Sequence, residues 1–335
     1  MAQPNPIGNF NSEAAWIHAP RISTMPAHKL SATDTCLIVI SNRKTSTDSL
    51  RYMSEERDGK ELHYFFVFTH DGRWNVLPVN SLEAALKYIP DINNDWLLYT
   101  EGMGKLFTSD LARGLTVAGQ YKLNVILFDY PSISTTKKQL GNYFFAIGNA
   151  RTAYLDFGGA FKNVMQLRTE KKMGTGKLTM LYHSMGNHVI RQLVKHHMLA
   201  PINDKIWVDN LVLNAPCVPR RGHKKWINKI AFAKRIYVNY NNNDFTLGGA
   251  YLASKKIQLG QKPVRNISKK VIYVNFNTLV DRGHSNFLSI PGRTAAKPAA
   301  TRYYNTILHG DAVDLTNEKQ FAVSRFKQIG WELLP

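Results

Sequence analysis

The residues most suited to catalysing a reaction surround Ser184, in the segment Leu178–Leu193. A short apolar run, Leu178–Tyr182, is long enough for one buried strand, and apolar residues recur at helical spacing after the serine. A strand, a sharp turn that carries one serine, and a helix form the context in which a Gly-x-Ser-x-Gly sequence becomes a nucleophile elbow. Such a turn exposes the hydroxyl above the sheet edge and directs amides such as that of Met185 at a developing oxyanion. The chemistry would be nucleophilic attack by Ser184 on a carbonyl carbon.

The turn departs from the usual elbow pattern at one position. Gly186 fills the second glycine position, but Tyr182 stands where the first glycine belongs. That position normally needs a small residue, because strand and helix pass close together there. The alternative interpretation is that Ser184 only caps the following helix, since serine is a favoured N-cap residue.

The elements that would position Ser184 alternate along the chain between apolar runs and helical patterns. Predicted helices are Ser81–Tyr88, Thr108–Ala118, Tyr154–Glu170 and the helix after the elbow, and residues 42–60 are predicted as a loop or a short exposed helix. The predicted strands are Cys36–Ser41, Leu62–Thr69, Trp96–Thr100, Asn124–Phe128, Leu178–Tyr182, Asp209–Asn214, Arg235–Tyr240 and Lys270–Phe276.

Continuous apolar strands that alternate with helices are typical of a parallel sheet covered on both faces. The sequence therefore predicts an α/β fold with a mostly parallel eight-stranded sheet and helices on both faces, in a single domain over residues 31–335. Residues 1–30 contain four prolines and little periodicity, and they are predicted to form an irregular N-terminal arm.

The loops after the last two predicted strands carry an acid and a histidine. In serine hydrolases of this architecture the chain order is nucleophile, acid, histidine. The seventh predicted strand leads to Asp244, and the eighth leads to His284. Asp209 and Asp281 are alternative acids, and His309 is an alternative base because it also follows the eighth strand.

With these placements the chain resembles the α/β-hydrolase fold, and within it an uncharacterised bacterial family of predicted serine hydrolases of the esterase and lipase type. The resemblance covers roughly residues 93–290. It rests on the elbow His183–Asn187, on Tyr130–Ser132 at the end of the fourth strand, on the asparagines before Asp244, and on Gly283–Ser285 before an aromatic residue.

The resemblance implies a catalytic triad in which Ser184 is the nucleophile, His284 the general base and Asp244 its orienting carboxylate. The expected reaction is hydrolysis of a small-molecule or lipid-like carboxylic ester through an acyl-enzyme, with neither cofactor nor metal. The oxyanion would accept from the amides of Met185 and of the loop after the third strand, at Gly102 and Met103.

That loop differs from the family, which usually has His-Gly where this chain has Glu101-Gly102. A carboxylate beside a developing negative charge raises the barrier unless it points away or is protonated. If Glu101 hampers the enzyme, replacing it by Gln or His is expected to raise turnover at nearly unchanged stability. If the carboxylate instead serves the chemistry, for instance by positioning substrate, the same changes are expected to lower turnover. Together with Tyr182, Glu101 supports an alternative class: a degenerate hydrolase that acts as a binding or assembly subunit through its basic surface and N-terminal arm.

The charge of the chain is strongly positive, with 43 Lys and Arg against 24 Asp and Glu, a net charge of +19. Such a field favours an anionic partner or a protein complex, and the alternative is a basic surface that only confers solubility. The densest basic stretch is Arg220–Lys225. No apolar run approaches the length of a membrane span. The N-terminus lacks signal-peptide features, which fits either a cytoplasmic protein or an exported protein whose signal peptide is gone.

Overall fold

The computed structural model describes residues 21–22, 30, 34–46, 52–70, 73–200, 203–263, 267–290 and 295–335. The strands are β1 Arg21–Ile22, β2 Cys36–Ser41, β3 Arg43–Thr45, β4 Met53–Arg57, β5 His63–His70, β6 Arg73–Val79, β7 Trp96–Thr100, β8 Asn124–Asp129, β9 Leu178–His183, β10 Val208–Asn214, β11 Ala233–Tyr240, β12 Val271–Asn275, β13 Phe321–Val323 and β14 Trp331–Leu333. The α-helices are α1 Leu82–Leu86, α2 Phe107–Tyr121, α3 Gln139–Thr152, α4 Tyr154–Thr169, α5 Asn187–Lys195, α6 His223–Ile227, α7 Phe245–Ser254, α8 Asn277–Val280 and α9 Pro298–Leu308.

The protein is an α/β protein with a large, mostly parallel sheet flanked by helices, and its elements fall into two compact units. The first unit takes the described residues up to Asn94 together with Glu101–Gly176, and the second takes Asp95–Thr100 and Lys177–Pro335. The strand order in the second unit is β7-β9-β10-β11-β12-β14-β13, and only the last pair is antiparallel. In the first unit the order is β1-β6-β5-β2-β8, and β5 is antiparallel to both neighbours.

The prediction of eight strands is wrong, because among the described residues the sheet strands of the two units number twelve. All eight predicted strands are present, and the additional ones are β1, β6, β13 and β14. Three of these are two or three residues long, too short to show a periodicity, and β6 contains Pro78, which argues against a strand in sequence. Residues 42–60, predicted as a loop or helix, contribute β3 and β4, which form a separate small sheet.

The central strands are buried along their whole length. Every residue of β7, β8 and β9 is buried, as expected for parallel strands covered on both faces. Most of the predicted N-terminal arm, residues 1–30, lies outside the described residues. In the described part of the chain, no helix has both the length and the apolarity to cross a bilayer.

A fully buried ion pair between Arg43 and Asp129 organises the first unit. The Arg43 Nε lies 2.8 Å from the Asp129 Oδ2, and neither side chain is exposed to solvent. The guanidinium also donates to the carbonyls of Lys105 and Tyr130, at 3.0 and 2.8 Å. A buried charge without partners costs several kcal/mol, so the Arg43 guanidinium needs all of these acceptors. By binding them, it connects the loop after Glu101 with the loop after Asp129 in one polar cluster.

A third buried group, Asp110 on α2, completes this cluster. Burial raises the pKa of Asp110 well above its usual range, and the charge of Asp129 together with a hydrogen bond to it raises this pKa further. The cluster therefore binds a proton at Asp110 that the unfolded chain would release above about pH 4. Since the folded state binds more protons than the unfolded state in this range, stability falls as pH rises from about 4 to the raised pKa.

We expect Asp110→Asn to remove this pH dependence, because an amide imitates the protonated carboxyl group and keeps an N–H to donate to Asp129. In urea unfolding at a series of pH values, the free energy of unfolding of the variant should rise relative to that of the wild type. The rise should reach up to about 1.4 kcal/mol per pH unit between pH 4 and the raised pKa. The matched control is Asp204→Asn at an exposed position, which should leave the pH profile of the wild type intact. Parallel profiles for Asp110→Asn and the wild type would contradict a proton held at Asp110.

Candidate active site

The turn after β9 places a serine with a left-handed backbone conformation between a buried strand and a helix. Ser184 follows the last strand residue, His183, and opens a single 3₁₀ turn, Ser184–Gly186, that runs directly into α5. Its φ is 51°, in the left-handed region that non-glycine residues rarely adopt. Such a conformation costs of order 1–3 kcal/mol and persists only where surrounding contacts enforce it.

One side chain, Asn187 at the start of α5, supplies those contacts. Its Nδ2 donates to the carbonyls of Tyr182, Ser184 and Asn214, at 2.8, 3.0 and 3.4 Å. The amide of Cys217 donates to the Ser184 carbonyl at 3.0 Å, so this oxygen has two donors. The turn is thus tied to the ends of both β9 and β10.

Tyr182 is accommodated within this turn. Its side chain is buried, and burial raises the pKa of its phenol well above the usual value. Among the described residues its hydroxyl has no hydrogen-bond partner. The elbow conformation of Ser184 therefore forms with a tyrosine, rather than a glycine, two residues before it.

Asp244 and His284 form a close pair. Asp244 is the N-cap of α7, where its Oδ1 accepts from the Leu247 amide at 2.9 Å while its Oδ2 lies 2.6 Å from the His284 Nδ1. A carboxylate accepts hydrogen bonds, so the proton of a neutral His284 lies on Nδ1 and Nε2 keeps its lone pair for a base. The Asp244 side chain is fully buried, and the His284 side chain keeps 15% of its surface exposed.

Asn241, just after β11, holds the loop that presents His284. Its Nδ2 donates to the carbonyls of Asp281 and Gly283, at 2.7 and 2.9 Å. The loop is anchored again where the Phe245 amide donates to the carbonyl of Arg282, at 3.4 Å. The acid and the histidine are thus positioned by the same two neighbouring loops.

The structure brings His284 beside the elbow. The rings of His183 and His284 have their centroids 4.7 Å apart, and His183 immediately precedes Ser184. The three predicted triad residues, Ser184, Asp244 and His284, therefore belong to one unit and to loops that follow parallel strands.

The alternative acids and base lie elsewhere. His309 pairs with Asp95, at 2.8 Å, and Asp95 precedes β7, at the end of the strands opposite to the elbow. The Asp209 carboxylate accepts from the Leu178 amide at 3.1 Å, near the start of β9. Asp281 is exposed, and its carbonyl, not its carboxylate, is the group held by Asn241.

His183 belongs to a buried polar network that the sequence did not reveal. Its Nδ1 lies 3.1 Å from the Asn214 Nδ2 and its Nε2 lies 3.3 Å from the Ser285 Oγ. The Asn214 Oδ1 accepts from the Tyr304 hydroxyl, so its amide faces His183 as a donor and leaves the His183 proton on Nε2. The available signal was Asn214, the polar residue that directly follows the apolar run Leu211–Leu213 at the end of β10.

The loop with Gly102 and Met103 belongs to the first unit and is held there by backbone contacts. The amide of Gly104 donates to the Ser132 carbonyl at 2.9 Å, and the amide of Lys105 donates to the Ser132 Oγ at 3.0 Å. The Lys105 ammonium in turn donates to the carbonyl of Met103 at 2.9 Å.

Glu101 is buried at the start of this loop, and its carboxylate is paired. The Arg113 Nε on α2 lies 3.1 Å from the Glu101 Oε2. The Arg113 guanidinium thus compensates the charge of the Glu101 carboxylate, a partner that the sequence did not reveal.

A group outside the predicted triad has the donor types for a metal ion: Asp58, Glu61 and His63. It lies in the first unit, and the His63 Nε2 already faces the Asp58 carboxylate at 3.4 Å.

Comparison with known proteins gives no family for the chain: no protein-family model matches it, and no curated protein shows significant similarity to it.

We expect Asn187→Ala to destabilise the protein, because it leaves the buried carbonyls of Tyr182 and Ser184 with fewer donors. Removing a buried donor that serves these carbonyls costs about 1–3 kcal/mol, so urea unfolding should show a loss in that range. Lys195→Ala, an exposed change on the same helix, is the control and should stay within about 0.5 kcal/mol of the wild type. Equal stabilities of the two variants would mean that Asn187 does not hold the turn.

Proposed function

We propose that the protein is a serine hydrolase of the α/β-hydrolase fold that cleaves carboxylic esters through an acyl-enzyme on Ser184. The observation that carries the proposal is the left-handed Ser184 at the end of a buried strand, where the ring of the preceding His183 lies beside His284. His284 is in turn paired with the buried Asp244. These features come from three loops far apart in sequence. A capping serine alone would need neither the strained φ nor the Asp244–His284 pair.

In the proposed reaction the Ser184 hydroxyl attacks the ester carbonyl while His284 Nε2 takes its proton. The carbonyl π electrons move to oxygen, which accepts a hydrogen bond from the Met185 amide at the start of the helical turn. Collapse of the tetrahedral intermediate expels the alcohol, which takes the proton from His284. Water then attacks the acyl-enzyme in the same manner and releases the carboxylic acid. A contribution of the Gly102 and Met103 amides to the oxyanion stays a prediction from the sequence.

The substrate class is a carboxylic ester of small-molecule or lipid-like type. No cofactor or metal enters these steps, since a serine, an imidazole and a carboxylate suffice to move the proton and form the acyl bond. The competing proposal, a degenerate hydrolase that serves as a binding subunit, makes the opposite prediction about the reactivity of Ser184.

We expect a fluorophosphonate probe to modify the folded protein once, on Ser184, with the adduct seen by intact mass and located by peptide mapping. Ser184→Ala should abolish the adduct, and His284→Ala should slow its formation by a factor of order 10³ or more, since the hydroxyl loses its base. Ser285→Ala is the matched control for a nearby serine and should still be labelled on Ser184. A folded wild-type protein without adduct would favour the binding subunit.

The ion pair with Arg113 changes what replacing Glu101 should do. Glu101→Gln cannot relieve a repulsion that Arg113 already compensates, and it leaves a mostly buried guanidinium without its counter-ion. We therefore expect a loss of stability of about 1–3 kcal/mol rather than an unchanged one, and no gain in turnover.

Initial rates on short-chain p-nitrophenyl esters test this expectation, with Ser184→Ala as the background. The double variant Glu101→Gln/Arg113→Gln should recover part of the lost stability, because it removes both charges. A faster Glu101→Gln enzyme would show instead that the carboxylate opposes the reaction.

A further inference from the structure

Helix α7, which begins immediately after Asp244, exposes an apolar face. Its sequence, Phe-Thr-Leu-Gly-Gly-Ala-Tyr-Leu-Ala-Ser, contains no charged residue. Phe245 and Leu252 are seven residues apart, so they share one side of the helix, and they are 76% and 67% exposed. Tyr251 beside them is also exposed, whereas Leu247 and Ala250 face the interior. An uncharged helix with large apolar side chains in water is typical of an interaction surface.

A basic rim adjoins this face. The exposed lysines Lys255 and Lys256 follow the helix directly. The next residues, 257–258, lie beside the start of the basic stretch Arg220–Lys225. Pro219 forms a β-bridge with Gln258, and the Arg220 amide donates to the Ile257 carbonyl at 3.0 Å. The exposed cations of that stretch are Arg221, Lys224 and Lys225, and together with Lys255 and Lys256 they form the basic rim. We call the exposed face of α7 and the basic rim the α7 surface.

We propose that the α7 surface docks on an acidic phospholipid bilayer. A helix with an apolar face beside clustered lysines and arginines suits the boundary between headgroups and acyl chains. There Phe245, Tyr251 and Leu252 would leave water, while the basic rim would lie among anionic headgroups. The net charge of +19 attracts the protein to such a surface from a distance. Phosphate contacts alone, as on nucleic acid, would leave the aliphatic Leu252 in water.

The docking does not depend on the proposed catalysis, although it would place the bilayer close to the proposed catalytic residues. Asp244 caps α7 and holds His284, so a bilayer bound at α7 lies next to the proposed triad. The protein would then meet lipid-like esters at the surface where they reside. Because lipid binding needs no reactive serine, Ser184→Ala should bind vesicles as the wild type does.

Co-sedimentation of the full chain with vesicles of phosphatidylcholine, with and without phosphatidylglycerol, tests the apolar face. We expect binding to the acidic vesicles, and a drop of at least about tenfold in the partition coefficient for Phe245→Ser/Leu252→Ser. Both side chains are exposed, so the variant should melt at the temperature of the wild type. The control is Ile206→Ser, a 65% exposed residue just before β10, at the other end of the strands, and it should bind unchanged.

The basic rim is tested by Lys255→Gln/Lys256→Gln, which should weaken binding to acidic vesicles about fivefold per lysine at low salt, and less at high salt. The control pair Lys269→Gln/Lys270→Gln, located before β12, should behave as the wild type. Equal binding by the wild type and the Phe245/Leu252 variant, or none by either, would overturn the proposal. So would a wild-type dimer that this variant converts to a monomer without any vesicle binding, since α7 would then contact a second copy.

Discussion

The candidate site depends on one backbone constraint, the left-handed conformation of Ser184, and on the side-chain amide that enforces it. Asn187 ties the carbonyls of Tyr182, Ser184 and Asn214 together, so the strain of the turn is offset by hydrogen bonds made inside the core. Because these carbonyls end two adjacent parallel strands, the position of the serine is fixed relative to the sheet. The loops with Asp244 and His284 can then be placed against a rigid reference.

The same edge of the second unit is lined by buried polar side chains that satisfy one another. Asn214, Asn239 and Tyr304 form a network that reaches His183 through the Asn214 amide. In a low dielectric each such group would be costly without a partner, and a fully paired network selects one arrangement of side chains. The network fixes the His183 ring beside His284, so that core packing extends directly to the proposed base.

Buried and exposed charged residues have different roles in this molecule. In the first unit the buried Arg43 compensates Asp129 and the partly buried Arg113 compensates the buried Glu101. Asp110 lies beside Asp129 with a raised pKa, and the two ion pairs hold loops in place. The excess of positive charge is carried by exposed side chains, and at the α7 surface it lies beside an apolar helix face. Buried pairs of this kind fix geometry, whereas exposed cations act on partners through a field that salt screens.

The sequence by itself determined eight of the sheet strands, because apolar runs and strand-to-loop order are local properties of the chain. It named Asp244 and His284 as candidates for an acid and a histidine, but it left Asp209, Asp281 and His309 open as alternatives. It did not reveal the short strands β1, β13 and β14, whose pairing depends on neighbours distant in sequence. Nor could it show that Arg113 compensates Glu101, or that the Asn187 side chain donates to the carbonyl of Tyr182. Those outcomes depend on which side chains meet in space, and only the tertiary structure decides that, since burial gives each polar contact its energy.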